Sequence, residues 1–81
     1  MTSVEHEVRA AVAQKLGLNE DEIGVDASII EDLGADSLDA VEMLIAMEGK
    51  FGLTISDEQA ARIHTIRQAV DYINREIESR A

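Results

Sequence analysis

No stretch of this chain alternates apolar and polar residues as a half-buried strand must, whereas three segments repeat apolar residues at helical spacing. Val4, Val8, Val12 and Leu16 recur every fourth residue with alanines beside them, which predicts one apolar face of a helix that Gly17 can close. Thr2 and Glu5 stand at capping-box spacing at its start. A second helix is predicted from about Ser37 to Phe51, with Gly52 where a left-handed cap residue belongs. Ser56 and Gln59 repeat the capping-box spacing and open a short helical piece over Asp57 to Arg62. Thr65 and Gln68 repeat it again before a last helix whose buried stripe is expected to be Ile66, Val70, Ile73 and Ile77. Residues 18–36 are too polar for a helix throughout, but Ile23, Val25, Ile29, Ile30 and Leu33 offer anchors, so an ordered connection is expected. The fold class that follows is all-α: a small four-helix bundle of three longer helices and one short helix, with a long ordered loop between helices 1 and 2.

A chain of 81 residues has room for a single domain spanning 1–81 with one core. Aromatic residues make up only 2%, so that core must be built from Val, Ile, Leu, Met and Ala and is soft enough to repack. Seventeen Asp and Glu against seven Lys and Arg give a formal charge of -10. The resulting negative field excludes nucleic acid and anionic membrane as natural partners and favours basic patches on other proteins, although charge of this sign also simply promotes solubility. There is no cysteine, hence no disulfide framework, no thiolate metal site and no thiol nucleophile. The opening MTSVEHEVRA lacks the basic start and apolar run of a signal peptide, and nothing approaches the roughly 20 apolar residues that span a bilayer. A cytoplasmic monomer without stable membrane insertion is expected.

The second helix carries two apolar stripes. At about 100° per residue, Ala40, Met43, Leu44, Met47 and Phe51 share the side that must face the core, while Leu38, Val41 and Ile45 fall on a different arc. Asp39, Glu42 and Glu48 lie around that second arc, and an apolar centre with an acidic edge has the composition of a docking surface. The competing reading buries the strip beneath the long loop, whose own anchors need cover.

Ser37 stands between Asp36 and Leu38, three residues after Gly34. If Asp36 is the N-cap, Ser37 is the first helical residue and its hydroxyl lies beside unpaired backbone N–H groups at the positive end of the helix, a place that favours an attached phosphate. If Ser37 is itself the cap, its hydroxyl has a purely structural role. As a hydrolase nucleophile it fails, because a nucleophile elbow wants glycine two residues before and two after, where Ala35 and Asp39 stand. His6 and His64, the sole candidate bases, read as surface residues. A calcium loop counted from Asn19 fails as well, since its fifth position is Ile23 and its twelfth Ile30 in place of oxygen ligands, and no metal site is predicted.

The stretches EDLGADSLDAVEM, FGLTISDEQAARIHTI and AVDYI, in this order and spacing over nearly the whole chain, resemble the acyl carrier proteins of discrete, type II fatty-acid and polyketide synthases. The resemblance implies that Ser37 receives 4'-phosphopantetheine from coenzyme A through a phosphopantetheinyl transferase, and that acyl groups ride on the arm as thioesters while the chemistry belongs to partner enzymes. It further implies that Asp36, Leu38, Asp39, Val41, Glu42, Ile45 and Glu48 form the surface on which acyl-transfer, condensing and reducing enzymes with basic docking patches seat themselves. The carried chain is then expected to fold back among Met43, Leu44, Met47, Phe51 and Ile63. The sequence departs from the family at Gly49, where another acid is common, and at Ser56, where proline is common. The alternative from a different class is an acidic helical adaptor that binds basic proteins without a prosthetic group.

Overall fold

The computed structural model describes residues 3–80, Arg80 by its backbone only. Among these residues four α-helices follow one another: α1 (Val4–Leu16), α2 (Ser37–Phe51), the four-residue α3 (Asp57–Ala60) and α4 (Ile66–Arg80). No strand occurs among the described residues, so the all-helical class expected from the spacing is the observed one.

The helix ends follow local chemistry closely. Gly17 and Gly52 close α1 and α2 in the left-handed region, at φ 70° and 66°. The α1 cap is Ser3, whose side chain accepts from His6 N; Thr2, expected to cap, lies outside the described residues. Ser56 accepts from Gln59 N at the start of α3. Thr65 and Gln68 exchange bonds in both directions, Gln68 N to Thr65 Oγ1 and Thr65 N to Gln68 Oε1, a complete capping box at the start of α4. The third helix is shorter than the expected 57–62, because Arg62 and Ile63 bond back three residues to Gln59 and Ala60, a tighter winding that ends the α-helix at Ala60.

The core joins Val8, Val12 and Ala13 of α1 to Met43, Leu44 and Met47 of α2 and to Ile66, Ala69, Val70 and Ile73 of α4, with Ile23, Ile29, Ala35 and Leu53 closing it from the connections. α1 packs against both α2 and α4. Two expected core residues are exposed. Ile77, in the last turns of α4, is 39% exposed although Ile73 one turn before it is buried, and Ile30 is 48% exposed although its neighbour Ile29 is buried.

Residues 18–36 are ordered, as their anchors require, and contain a 3-10 turn at Glu20–Glu22 that periodicity did not reveal. Arg9 secures this turn to α1, its Nε donating to Ile23 O (2.9 Å) and its Nη2 to Glu20 O (3.1 Å). The rest of the loop is stitched to the chain before and at the start of α4 through Ile29 N to His64 O, Ile66 N to Ala27 O and Arg67 N to Val25 O. Arg67 Nε donates to Asp26 Oδ1 at 2.7 Å, and this hydrogen bond, then the charge behind it, holds the Asp26 carboxyl below the ordinary aspartate range. On the other side, Glu48 accepts Ile55 N at 2.6 Å, and the Tyr72 hydroxyl lies within reach of Glu76 Oε1 (3.1 Å) and Thr54 O (3.2 Å), so the connection from α2 to α3 is tied to both long helices.

Candidate functional site

The site begins with a turn. Gly34 takes φ 78°, the left-handed region in which a side chain is strained, and this turns the chain so that Ala35 is buried, its N–H donating to Ile29 O (3.2 Å), while the next residue faces outward. Asp36 is the N-cap of α2: its Oδ1 accepts from Asp39 N (2.8 Å) and Asp39 Oδ2 accepts from Asp36 N (3.4 Å), a capping box made from two aspartates. Of the two sequence readings of Ser37, the structure selects the one in which it is the first helical residue and not the cap. Its side chain is exposed, and its hydroxyl makes no hydrogen bond among the described residues. The N–H groups of Ser37 and Leu38 stand in the first turn, where a helix has no internal acceptor for them.

An apolar cavity of about 340 Å³ opens beside this hydroxyl. Ser37 and Val41 stand in its wall with Met43, Leu44 and Met47 of α2, while Ile63 and Ala60 close it from the side of α3 and Ile29 and Ile30 from the loop. Four of the five residues expected around a carried chain, Met43, Leu44, Met47 and Ile63, therefore share one cavity. Phe51 does not line it: fourteen residues along α2 from Ser37 is about 21 Å at 1.5 Å per residue, past the far end of the space at Met47. A second cavity of about 350 Å³ adjoins the first and shares Ile29, Ile30, Ala40, Ile63 and His64 with it. The helical pattern could not indicate the loop's share of this wall, nor that His64 lines the same space as Ser37, because both arise from contacts distant in sequence.

The outward arc of α2 is exposed, with Leu38 at 65%, Val41 at 50% and Ile45 at 59%, so the loop does not cover it. Its acids are differently employed. Asp36 and Asp39 cap the helix, Glu42 accepts a hydrogen bond from Lys15 Nζ (3.0 Å), and half-buried Glu48 accepts from Ile55 N through Oε2. Among the described residues no buried side-chain polar atom lacks a partner, and Ser37 has no hydrogen bond to an imidazole that could activate it. Nor is any helix among them long and apolar enough to cross a membrane.

A family model for the phosphopantetheine attachment site matches residues 6–73, which takes in Ser37, the whole of α2 and the walls of both cavities. The residues present fit such a group: an unpartnered, exposed primary hydroxyl to esterify, free main-chain N–H groups beside it to receive phosphate oxygens, and an apolar space next to the anchor. The chain belongs to the phosphopantetheine attachment site family, whose members are non-catalytic carriers that hold 4'-phosphopantetheine covalently and work with a phosphopantetheinyl transferase and with partner enzymes.

Proposed function

We propose that Ser37 is the residue to which 4'-phosphopantetheine is attached, and that the protein is a discrete acyl carrier protein serving fatty-acid, polyketide or related lipid synthesis. The observation that carries this reading is the free Ser37 hydroxyl at the first position of α2, bordering an apolar cavity of about 340 Å³. Attack of its Oγ on the pyrophosphate of coenzyme A forms the serine phosphodiester, releases the hydroxyl proton and expels the adenosine bisphosphate. The Ser37 and Leu38 N–H groups and the positive end of α2 then offset charge on the phosphate, which Asp36 and Asp39 leave accessible because they bond to each other's backbone. When bound, the group supplies a flexible arm ending in a thiol that holds acyl chains as thioesters.

Met43, Leu44, Met47 and Ile63 then form the wall against which a carried chain folds back, in a space that holds on the order of ten water-sized groups at about 30 Å³ each. Leu38, Val41 and Ile45 form the apolar centre of a docking face, edged by Asp36, Asp39 and Glu42, for the transferase and for acyl-transfer, condensing and reducing enzymes that present basic patches. A formal charge of -10 favours a monomer that does not bind nucleic acid, and the cytoplasm is the proposed compartment. Incubation with coenzyme A, Mg²⁺ and a promiscuous transferase, followed by intact-mass measurement, tests the assignment. One phosphopantetheinyl increment on the wild type and none on Ser37→Ala supports it; an increment that survives Ser37→Ala moves the attachment elsewhere, and no increment on either protein favours the acidic adaptor.

A further inference from the structure

Glu42 lies on the exposed face of α2 between Val41 and Ile45, yet Lys15, near the end of α1, already occupies it: Nζ stands 3.0 Å from Glu42 Oε1, across 27 residues of sequence. Neither side chain is buried, at 38% and 44% exposure, so the pair can open to a competitor. No other acid on the outward side of α2 is treated this way. Among the described residues the remaining ion pairs are His6–Glu20, Arg9–Glu5, Arg62–Glu58 and Arg67–Asp26, none of which involves α2. Asp36 and Asp39, at the Ser37 end, meet only backbone N–H groups.

From this asymmetry we infer that Lys15 is a specificity-determining residue of the docking face, an internal cation that occupies Glu42 until a partner's cation displaces it. The inference rests on the reading of α2 as that face. In the free protein Lys15 neutralises the middle of the strip, so the unopposed negative charge gathers around Ser37, where Asp36 and Asp39 stand with Glu31 and Asp32 just before them in the chain. The partner that fits is an enzyme whose basic side chains cluster around the mouth of its own active site, directly opposite Ser37, and whose surface farther along α2 is apolar, to meet Val41 and Ile45. A partner that relies on a cation over Glu42 must first break the Lys15 contact. Exposed ion pairs are weak and screened by salt, so the discrimination is a matter of small factors in association rate and is lost when salt is added.

A double-mutant cycle read with a promiscuous phosphopantetheinyl transferase that places a basic side chain over Glu42 tests this, following both kcat/KM for transfer from coenzyme A and the Kd of the unmodified carrier for the transferase. At low salt Lys15→Gln is expected to raise kcat/KM and lower Kd by about two- to five-fold, the range an exposed pair allows, with the gain vanishing at high salt. Lys15→Arg, which keeps the pair, should behave as wild type. Glu42→Gln should cost less than about two-fold beside Lys15 and clearly more in the Lys15→Gln background, since only there is the carboxylate free to meet the partner. Equal costs in the two backgrounds, or a Lys15→Gln variant unchanged in both measurements, would overturn the inference. Val41→Asp separates it from the reading beneath it. If Val41→Asp slows transfer while the cycle is additive, Lys15 alone has been misread; if Val41→Asp is silent while Ser37 is still modified, α2 is not the docking face and both fall.

Discussion

The two sides of this molecule are built differently. On one, α1 packs against α2 and α4, and Val8, Val12, Ile66 and Ile73 are sealed from solvent between these helices. On the other, the loop of residues 18–36 and the four-residue α3 rely on a few buried points, Ile23 and Ile29 among them, and on main-chain hydrogen bonds; α3 itself buries no residue. The two adjoining cavities open on this thin side, one of them bordered by Ser37. A helix of one turn cannot hold itself together and depends on what it touches, so a wall made from α3 can yield without disturbing the helices behind it. One half acts as scaffold, and the other keeps the space that a carrier needs.

The comparison is tested most severely by truncating one isoleucine on each side. Ile73→Ala, in the sealed half, should destabilise by about 2–5 kcal/mol, whereas Ile63→Ala, half-buried on an existing cavity, should cost less than about half as much. Urea midpoints at unchanged m-value measure both, and equal shifts would break the distinction. At the joint between the halves, Gly34→Ala places a Cβ in open space but in the left-handed region, so it should cost about 1–2 kcal/mol from the backbone alone. Ser37→Ala beside it should leave the urea midpoint almost unmoved, because Asp36 is the cap.

A smaller effect of opposite sign is expected within α2. Gly49 sits in the helix interior with nothing within 4 Å of an added Cβ, so Gly49→Ala should raise stability by about 0.5–1 kcal/mol in thermal unfolding while leaving the cavity as it is. The smallest effect should come from Asp26→Asn, which loosens one exposed tie between the thin side and α4. Because Arg67 depresses the Asp26 carboxyl in the folded state, its stabilising contribution is present above the ordinary aspartate range and disappears as pH falls through the lowered folded value. Wild type and Asp26→Asn should therefore differ slightly at neutral pH and converge in acid, and a difference that widened on acidification would contradict the assignment.

Much of the scaffold could be read from local pattern. Gly17, Gly52, Ser56 and the Thr65–Gln68 box sit where their spacing puts them, since caps are made within four residues of one another. The exposed arc Leu38, Val41 and Ile45 was legible for the same reason, as a consequence of helical geometry. Spacing cannot tell how far along a helix the apolar stripe stays covered, so Ile77 reads as core, nor which of two adjacent loop isoleucines turns inward, so Ile30 does too. The part of the cavity wall supplied by Ile29, Ile30 and His64, and the Arg9, Lys15 and Glu48 contacts, were out of reach, because each joins segments brought together only by the finished fold.

The most direct test is backbone hydrogen exchange on the phosphopantetheinylated protein with and without a medium-length acyl chain on its thiol. The account predicts slower exchange at Ile29, Ile30 and residues 60–64 in the loaded form, with the amides of Val8, Val12, Val70 and Ile73 unchanged wherever they exchange by local opening. Identical exchange in the two forms, or a change confined to α1 and α4, would contradict a chain held in the cavity beside Ser37.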